Sequence, residues 1–218
     1  MNAVIFDMDG VLFDTETLAL KAALRASEAL GYGLTEEDVL ATLGMTEALT
    51  DQVYHNACAA YEPQAFWPVC NDSLRALLEE NGVPIKPYVR ETLAALRAQG
   101  LALGLCSSSP MERIMWYLQS TGLTDVFRAI TAGRSDVPSK PAPDMYLNTA
   151  AALGVAPQHC LVVEDAPLGL RAARRAGMFT VMVPDLRLYT GDLAPDCDRV
   201  LDSLKDLPAL AQEVFACR

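Results

Sequence analysis

Residues 3–10, Ala3-Val4-Ile5-Phe6-Asp7-Met8-Asp9-Gly10, decide how the rest of the chain is read. A short apolar run, too brief for a helix, stops on two aspartates and a glycine. Similar runs recur at Leu101 to Cys106, Phe127 to Ala132, Cys160 to Val163 and Thr180 to Val183. None alternates apolar with polar residues, as expected of strands covered on both faces. Between them, helical periodicity runs from Tyr88 to Gln99, Glu112 to Ser120, Asp144 to Leu153 and Leu168 to Ala176. Gly100, Gly122, Gly154 and Gly177 follow these segments, where a helix end favours glycine. Strand and helix in alternation predict an α/β fold, a doubly wound parallel sheet with helices on both sides.

One stretch breaks the rhythm. From Thr15 to Asn81 there is helical patterning and no strand. Leu18, Ala22, Arg25, Ala26 and Ala29 form one expected face; Val39, Leu40 and Leu43 before Gly44 form another. Thr35 before Glu36-Glu37-Asp38 reads as an N-cap with acids in the first turn. The pattern predicts a small all-helical cap, residues 15–82, inserted after the first strand into a core of residues 1–14 and 83–218. Asp14-Thr15 and Gly82-Val83-Pro84 are the expected hinges.

The 218 residues are 51% hydrophobic and 21% charged, which excludes a disordered polyelectrolyte and leaves ample material for a core. A formal charge of −11 argues against a nucleic-acid or anionic-membrane partner. It permits a small anionic substrate if a metal or lysine reverses the sign locally. The N-terminus lacks a basic region and a long apolar run, and no apolar stretch reaches the roughly 18 residues of a bilayer span. Cys58, Cys70, Cys106, Cys160, Cys197 and Cys217 show neither C-x-x-C spacing nor a disulfide framework, so a reduced, cytoplasmic protein is expected.

Ligands of an open parallel sheet bind beyond the carboxyl ends of its strands. There the first run ends in Asp7 and Asp9, the second in Ser107-Ser108-Ser109, and the fourth in Glu164-Asp165; Lys140 lies in the intervening Ser139-Lys140-Pro141-Ala142-Pro143-Asp144. Each has a plain alternative: turn-forming aspartates, helix-capping serines, a solvated lysine, acids at a helix start. Their convergence on one edge is harder to explain without a ligand. Burying four acids together is costly, and a hard divalent cation with oxygen ligands compensates.

These motifs, Phe6-Asp7-Met8-Asp9-Gly10-Val11-Leu12-Phe13-Asp14-Thr15-Glu16, Ser107, Lys140-Pro141-Ala142-Pro143-Asp144 and Glu164-Asp165-Ala166-Pro167-Leu168-Gly169, resemble the haloacid dehalogenase superfamily. Within it they are most similar to the β-phosphoglucomutase-like phosphatases with a helical cap after the first strand. The resemblance implies a Mg²⁺-dependent phosphatase acting on a small phosphorylated metabolite, as a monomer. It implies Asp7 as nucleophile, forming an aspartyl-phosphate, and Asp9 as general acid and base. Ser107 and Lys140 would hold phosphoryl oxygens, together with Ser108 and the loop at Met8. Asp7, the carbonyl of Asp9, Asp165 and Glu164, directly or through water, would hold the metal.

The resemblance also separates hydrolysis from its alternative, a phosphosugar mutase. Mutases of this subgroup carry a histidine ten residues after the general acid, an arginine after a cap glycine, and Lys-Asn after the serine loop. Here those places read Ala19, Glu47 after Gly44-Met45-Thr46, and Pro110-Met111. Groups that would hold a second phosphate are absent, and Glu47 would repel one. Thr15 to Leu20, Met45 to Leu49 and Trp67 to Asn71 are the expected substrate-facing stretches of the cap. His55, His159, Phe66, Trp67, Trp116 and Tyr117 read as packing or boundary residues, and Arg171, Arg174 and Arg175 as an exposed face.

Overall fold

The computed structural model describes residues 2–42, 45, 47–134, 136–186 and 190–216. Strands β1 (Ala3–Phe6), β2 (Ala102–Cys106), β3 (Ala129–Thr131), β4 (Cys160–Glu164), β5 (Phe179–Met182) and β6 (Arg199–Val200) form one sheet in the order β3-β2-β1-β4-β5-β6. Every pairing is parallel. The chain runs outward from β1 through β2 to β3, then returns to β4 on the other side. The switch therefore falls between β1 and β4, where Phe6 pairs with Val163.

Alternate residues supply two cores. Val4, Phe6, Leu103, Leu105, Leu161 and Val163 face one side; Ala3, Ile5, Cys106, Cys160 and Val162 face the other. Both sets are fully buried or nearly so, which is why the sequence shows continuous apolar runs. Helices α5 (Val89–Ala98), α6 (Met111–Thr121), α7 (Asp144–Leu153), α8 (Pro167–Arg175) and α9 (Leu207–Ala216) cover the sheet. The expected elements lie within two residues of these bounds, whereas β6 and α9 were not anticipated. β6 is a two-residue exposed edge with no pattern to read, and α9 follows the last of the motifs.

Between β1 and β2 lie α1 (Glu16–Leu30), α2 (Glu36–Leu40), α3 (Glu47–Ala57) and α4 (Pro63–Asn81). Thr35 caps α2 in a full capping box with Asp38. The α1 face differs from the expected one: Ala22, Ala23, Ala26 and Ser27 are buried, while Arg25 and Ala29 are exposed. Small residues bring α1 close to α4, and Ser27 earns its place by accepting from the Leu34 N–H at 2.8 Å. Phe66 centres the helical insert, with the rings of Tyr54, Tyr61 and Trp67 at 5.3–5.4 Å from it. Leu43, Gly44 and Thr46, used in the reading of the cap, lie outside the described residues.

The insert leaves and rejoins the sheet side by side. Phe13 and Ile85 form an antiparallel bridge. Flanking it, the Asp14 N–H donates to Pro84 O, and the Lys86 N–H to Leu12 O, each at 2.9 Å. Among the described residues no helix is long and apolar enough to cross a membrane. Cys58, Cys70, Cys106, Cys160 and Cys197 are free thiols.

Candidate active site

The sheet brings the strand-end motifs together at the β1–β4 switch point. Lys140 Nζ donates to Asp7 Oδ1 at 2.5 Å and to Glu164 Oε1 at 2.6 Å, and lies 3.4 Å from Cys106 O. Lys140 is 4% exposed and Glu164 1%. Glu164 is tightly engaged: Oε1 also accepts from Tyr146 Oη at 2.6 Å, and Oε2 from the N–H groups of Asp165 and Ala166, both at 3.2 Å. Oxygens of Asp7, Glu164 and Asp165 lie within 4.8 Å of one another.

Two glycines make that crowding sterically feasible. Gly10 has φ +78°, and a Cβ there would stand 2.3 Å from Asp165 Oδ2. A Cβ at Gly169 would stand 1.7 Å from Glu164 Oε1. Both the left-handed turn and the close approach of Asp165 therefore demand glycine at position 10.

Burial pushes the Asp7 carboxyl well above its usual range, although Lys140 pulls it down. Burial does the same to Asp165, reinforced by the charges of Glu16, Glu164, Asp7 and Asp185. For Lys140, burial works to lower the pKa, but Asp7 and Glu164 together hold it raised, so the ammonium persists. Burial also pushes the neighbouring Cys106 thiol up to about 12, which removes it as a nucleophile. Hard oxygen donors, buried and mutually repelling, fit a divalent cation such as Mg²⁺.

Asp9 stands apart from that carboxylate cluster. Its Oδ1 accepts from Thr15 Oγ1 at 2.5 Å and its Oδ2 from Ser109 Oγ at 3.1 Å. The Asp9 side chain is thus committed to two hydroxyls, leaving the carbonyl for the metal role expected of this residue. Ser107 Oγ accepts from the Ser109 N–H at 3.1 Å, which folds the serine loop back on itself. Gly133 packs under it, where a Cβ would meet Ser108 O at 2.1 Å. The Met8 side chain is fully buried in the core, so Met8 has only backbone to offer a ligand.

Above the edge opens a cavity of about 1010 Å³, lined by Asp7, Asp9, Ser107, Ser108, Lys140 and Asp165 from the sheet side. The insert lines the opposite side. Thr15, Glu16 and Ala19, Met45, Glu47 and Ala48, and Trp67, Cys70 and Asn71 face it, from the three stretches expected to do so. Trp67 serves in both expected ways: it packs on Phe66 and lines the cavity, and it donates from Nε1 to Asp51 Oδ1 at 2.9 Å. Tyr61 Oη donates to the same oxygen at 2.6 Å. Across the seam, Arg113 of α6 donates to Asn71 Oδ1 of α4 at 2.9 Å. Sequence reasoning missed Tyr146, Thr15 and Ser109 as partners of the site. Thr15 and Ser109 stood inside the quoted motifs; Tyr146 carried no signal beyond its place on α7. Arg174 and Arg175 are exposed as expected and Arg171 is half-buried; Arg171 and Arg174 also pair with Asp196 and Asp198.

Residues 4–183 match the sequence pattern of the haloacid dehalogenase-like hydrolases. The chain belongs to this family. This haloacid dehalogenase-like hydrolase is 34% identical over 209 residues to hexitol phosphatase B of Escherichia coli strain K12, covering 95% of the chain and 94% of that relative. It is 32% identical to fructose-1-phosphate phosphatase YqaB of the same organism over 189 residues, 85% of the chain and 96% of the relative. The structure of β-phosphoglucomutase from Clostridium difficile shares the fold, with a TM-score of 0.81 over 100% of both chains at 23% identity. The family resemblance read from the motifs therefore holds, and the fold is shared with a β-phosphoglucomutase.

Proposed function

We propose that this hydrolase is a Mg²⁺-dependent phosphatase, cleaving a small phosphate monoester of a sugar, polyol or sugar acid through an aspartyl-phosphate. The observation that carries the reading is the buried Lys140 joining Asp7 to Glu164, with Asp165 beside them, at the floor of a roofed cavity. Hexitol and fructose-1-phosphate phosphatases among its relatives support the choice of substrate class.

Asp7 attacks phosphorus, and a P–O bond to its carboxylate replaces the bond to the leaving alkoxide. Lys140 orients Asp7 and gathers negative charge at the phosphoryl oxygens. Ser107, Ser108 and the Met8 N–H complete the phosphoryl pocket. Asp9 gives its proton to the alkoxide and later takes one from the water that hydrolyses the acyl phosphate. Its partners suit both tasks, because the hydroxyls of Thr15 and Ser109 can donate to the carboxylate or accept from the acid. Mg²⁺ would be held by Asp7, Asp165 and the Asp9 carbonyl, and would neutralise the charge that otherwise keeps a carboxylate from a phosphate. Glu164 already accepts four hydrogen bonds, filling its acceptor sites, so its task is to seat Lys140. Residues 15–82 act as the cap that excludes bulk water during the first transfer.

Hydrolysis is favoured over mutase action because Ala19, Glu47 and Pro110 stand at the cavity where the mutase pattern has cations, and the arginines that do line it, Arg113 and Arg134, are engaged by Asn71 and Asp136. A panel of sugar, polyol and sugar-acid monophosphates should release inorganic phosphate with Mg²⁺ and none with chelator. A fully active Asp7→Asn protein refutes the assignment. Conversion of a hexose 1-phosphate to its 6-phosphate with little free phosphate replaces it with the mutase.

A further inference from the structure

Two acids at the sheet edge, Glu16 buried and Asp185 nearly so, have no part in that chemistry. Glu16 opens α1, immediately after the first crossing into the insert, and Asp185 lies in the loop that leaves β5. An oxygen of each lies within 4.8 Å of the other and of an Asp165 oxygen. Asp165 thus belongs to two acid clusters, one with Asp7 and Glu164 and one with Glu16 and Asp185. Five carboxylates gather here, and the lysines bonded to them are Lys140 and Lys86.

Asp185 is the informative member. Its side chain is 10% exposed and its Oδ1 is held by Lys86. Its Oδ2 is buried and, among the described residues, receives no hydrogen bond. A buried acceptor left without a donor is destabilising. The neighbouring carboxylates, Asp165 and Glu16, when ionised bring acceptors and more negative charge but no hydrogen. What the site calls for is positive charge that carries hydrogens, and a partly hydrated divalent cation provides both. Mg²⁺ retains several waters, and groups around its ligands orient them.

We propose that Asp185 and Glu16 are positioning residues of the metal centre, accepting hydrogens from water on a single divalent cation ligated by Asp165. The inference rests on the reading of Asp7 and Asp165 as ligands. Lys86 holds the Asp185 carboxylate in place, and Glu16 closes the site from the insert side. The cation's water shell is then bounded by residues next to both crossings, Glu16 after the first and Lys86 after the second.

Calorimetric titration of the metal-free full chain with Mg²⁺ alone tests this, alongside water-proton relaxation of the Mn²⁺-loaded protein. The expected stoichiometry is one ion. Asp185→Asn and Glu16→Gln should each weaken Mg²⁺ binding about 10–100-fold and alter the relaxation of bound water at saturating Mn²⁺, which a purely structural role would not. Asp165→Asn should abolish binding. If Asp165→Asn binds as the wild type does, the reading of the ligands fails and this inference with it. If Asp165→Asn fails to bind but Asp185→Asn and Glu16→Gln bind normally, only the outer residues are refuted. Two ions in the wild type, falling to one in Asp185→Asn, would overturn water-mediated contact in favour of a second ion. Should Asp185→Asn not fold, Glu16→Gln decides the question by the same titration.

Discussion

At the sheet edge, acids and a lysine are fixed by short loops, backbone N–H groups and glycines that admit no Cβ. Above it, the helical insert is held by aromatic edges around Phe66 and presents a varied lining of Ala19, Met45, Glu47, Trp67 and Asn71. The first region has little tolerance: moving Glu164 frees Lys140, and moving Lys140 frees Asp7. In the second, a cluster of rings sets the frame without the lysine–carboxylate contacts of the edge. On the proposed function, reaction type and substrate choice fall to separate parts of one cavity.

The contrast breaks most visibly at Asp7. Asp7→Asn should lower phosphate release about 10⁴–10⁶-fold in steady-state assays, since the proposed reaction forms its covalent bond on the Asp7 carboxylate. Lys140→Met leaves Asp7 and Glu164 buried without their cation. Metal-free protein carrying it should lose about 3–5 kcal/mol in urea unfolding, as for other buried pairs stripped of one partner. Gly169→Ala forces a methyl against Glu164 and should cost about 1–3 kcal/mol by the same measurement, with activity falling as Lys140 shifts.

A pH series sharpens the comparison. Asp7 and Asp165 have folded pKa values raised above the carboxylate norm of about 3.9, so the native state binds more protons than the unfolded chain. Stability from these groups must then fall as pH rises through their folded pKa values. Metal-free protein should melt higher at about pH 5 than at about pH 8 by calorimetry, and saturating Mg²⁺ should weaken or reverse that trend. An unchanged pH trend with metal would separate the carboxylates from the cation. The smallest effect belongs to the insert: Tyr61→Phe removes one hydrogen bond to Asp51 and should cost about 0.5–1.5 kcal/mol. Its mark on kinetics should fall on KM, through Trp67, with kcat nearly unchanged.

The sheet was legible because a strand buried on both faces must be apolar throughout, so its end is announced by the first charge. Asp7, Glu164 and Asp165 were found for that reason, and the same rule located the serine loop. Lys140 emerged only with its companions, since a loop lysine is ordinary in isolation. Asp185 stayed hidden: it sits past a strand end like the others, but a lone Pro184-Asp185 resembles any turn. Tyr146 and Asp51 were equally silent, because their partners lie far off in the chain and are set by packing. The α1 face was misread at Arg25 and Ala29, where an alanine-rich helix leaves periodicity ambiguous.

Because the helical excursion begins and ends at one hydrogen-bonded point, beside Phe13 and Ile85, its two ends place almost no length or direction constraint on what lies between. A differently sized excursion could be grafted there while the β1 and β2 registers stayed as they are. The scaffold can thus acquire new selectivity by exchange of the helices beyond Thr15 and Glu16, the two residues of the excursion that reach the sheet edge, with the rest of that edge left in place.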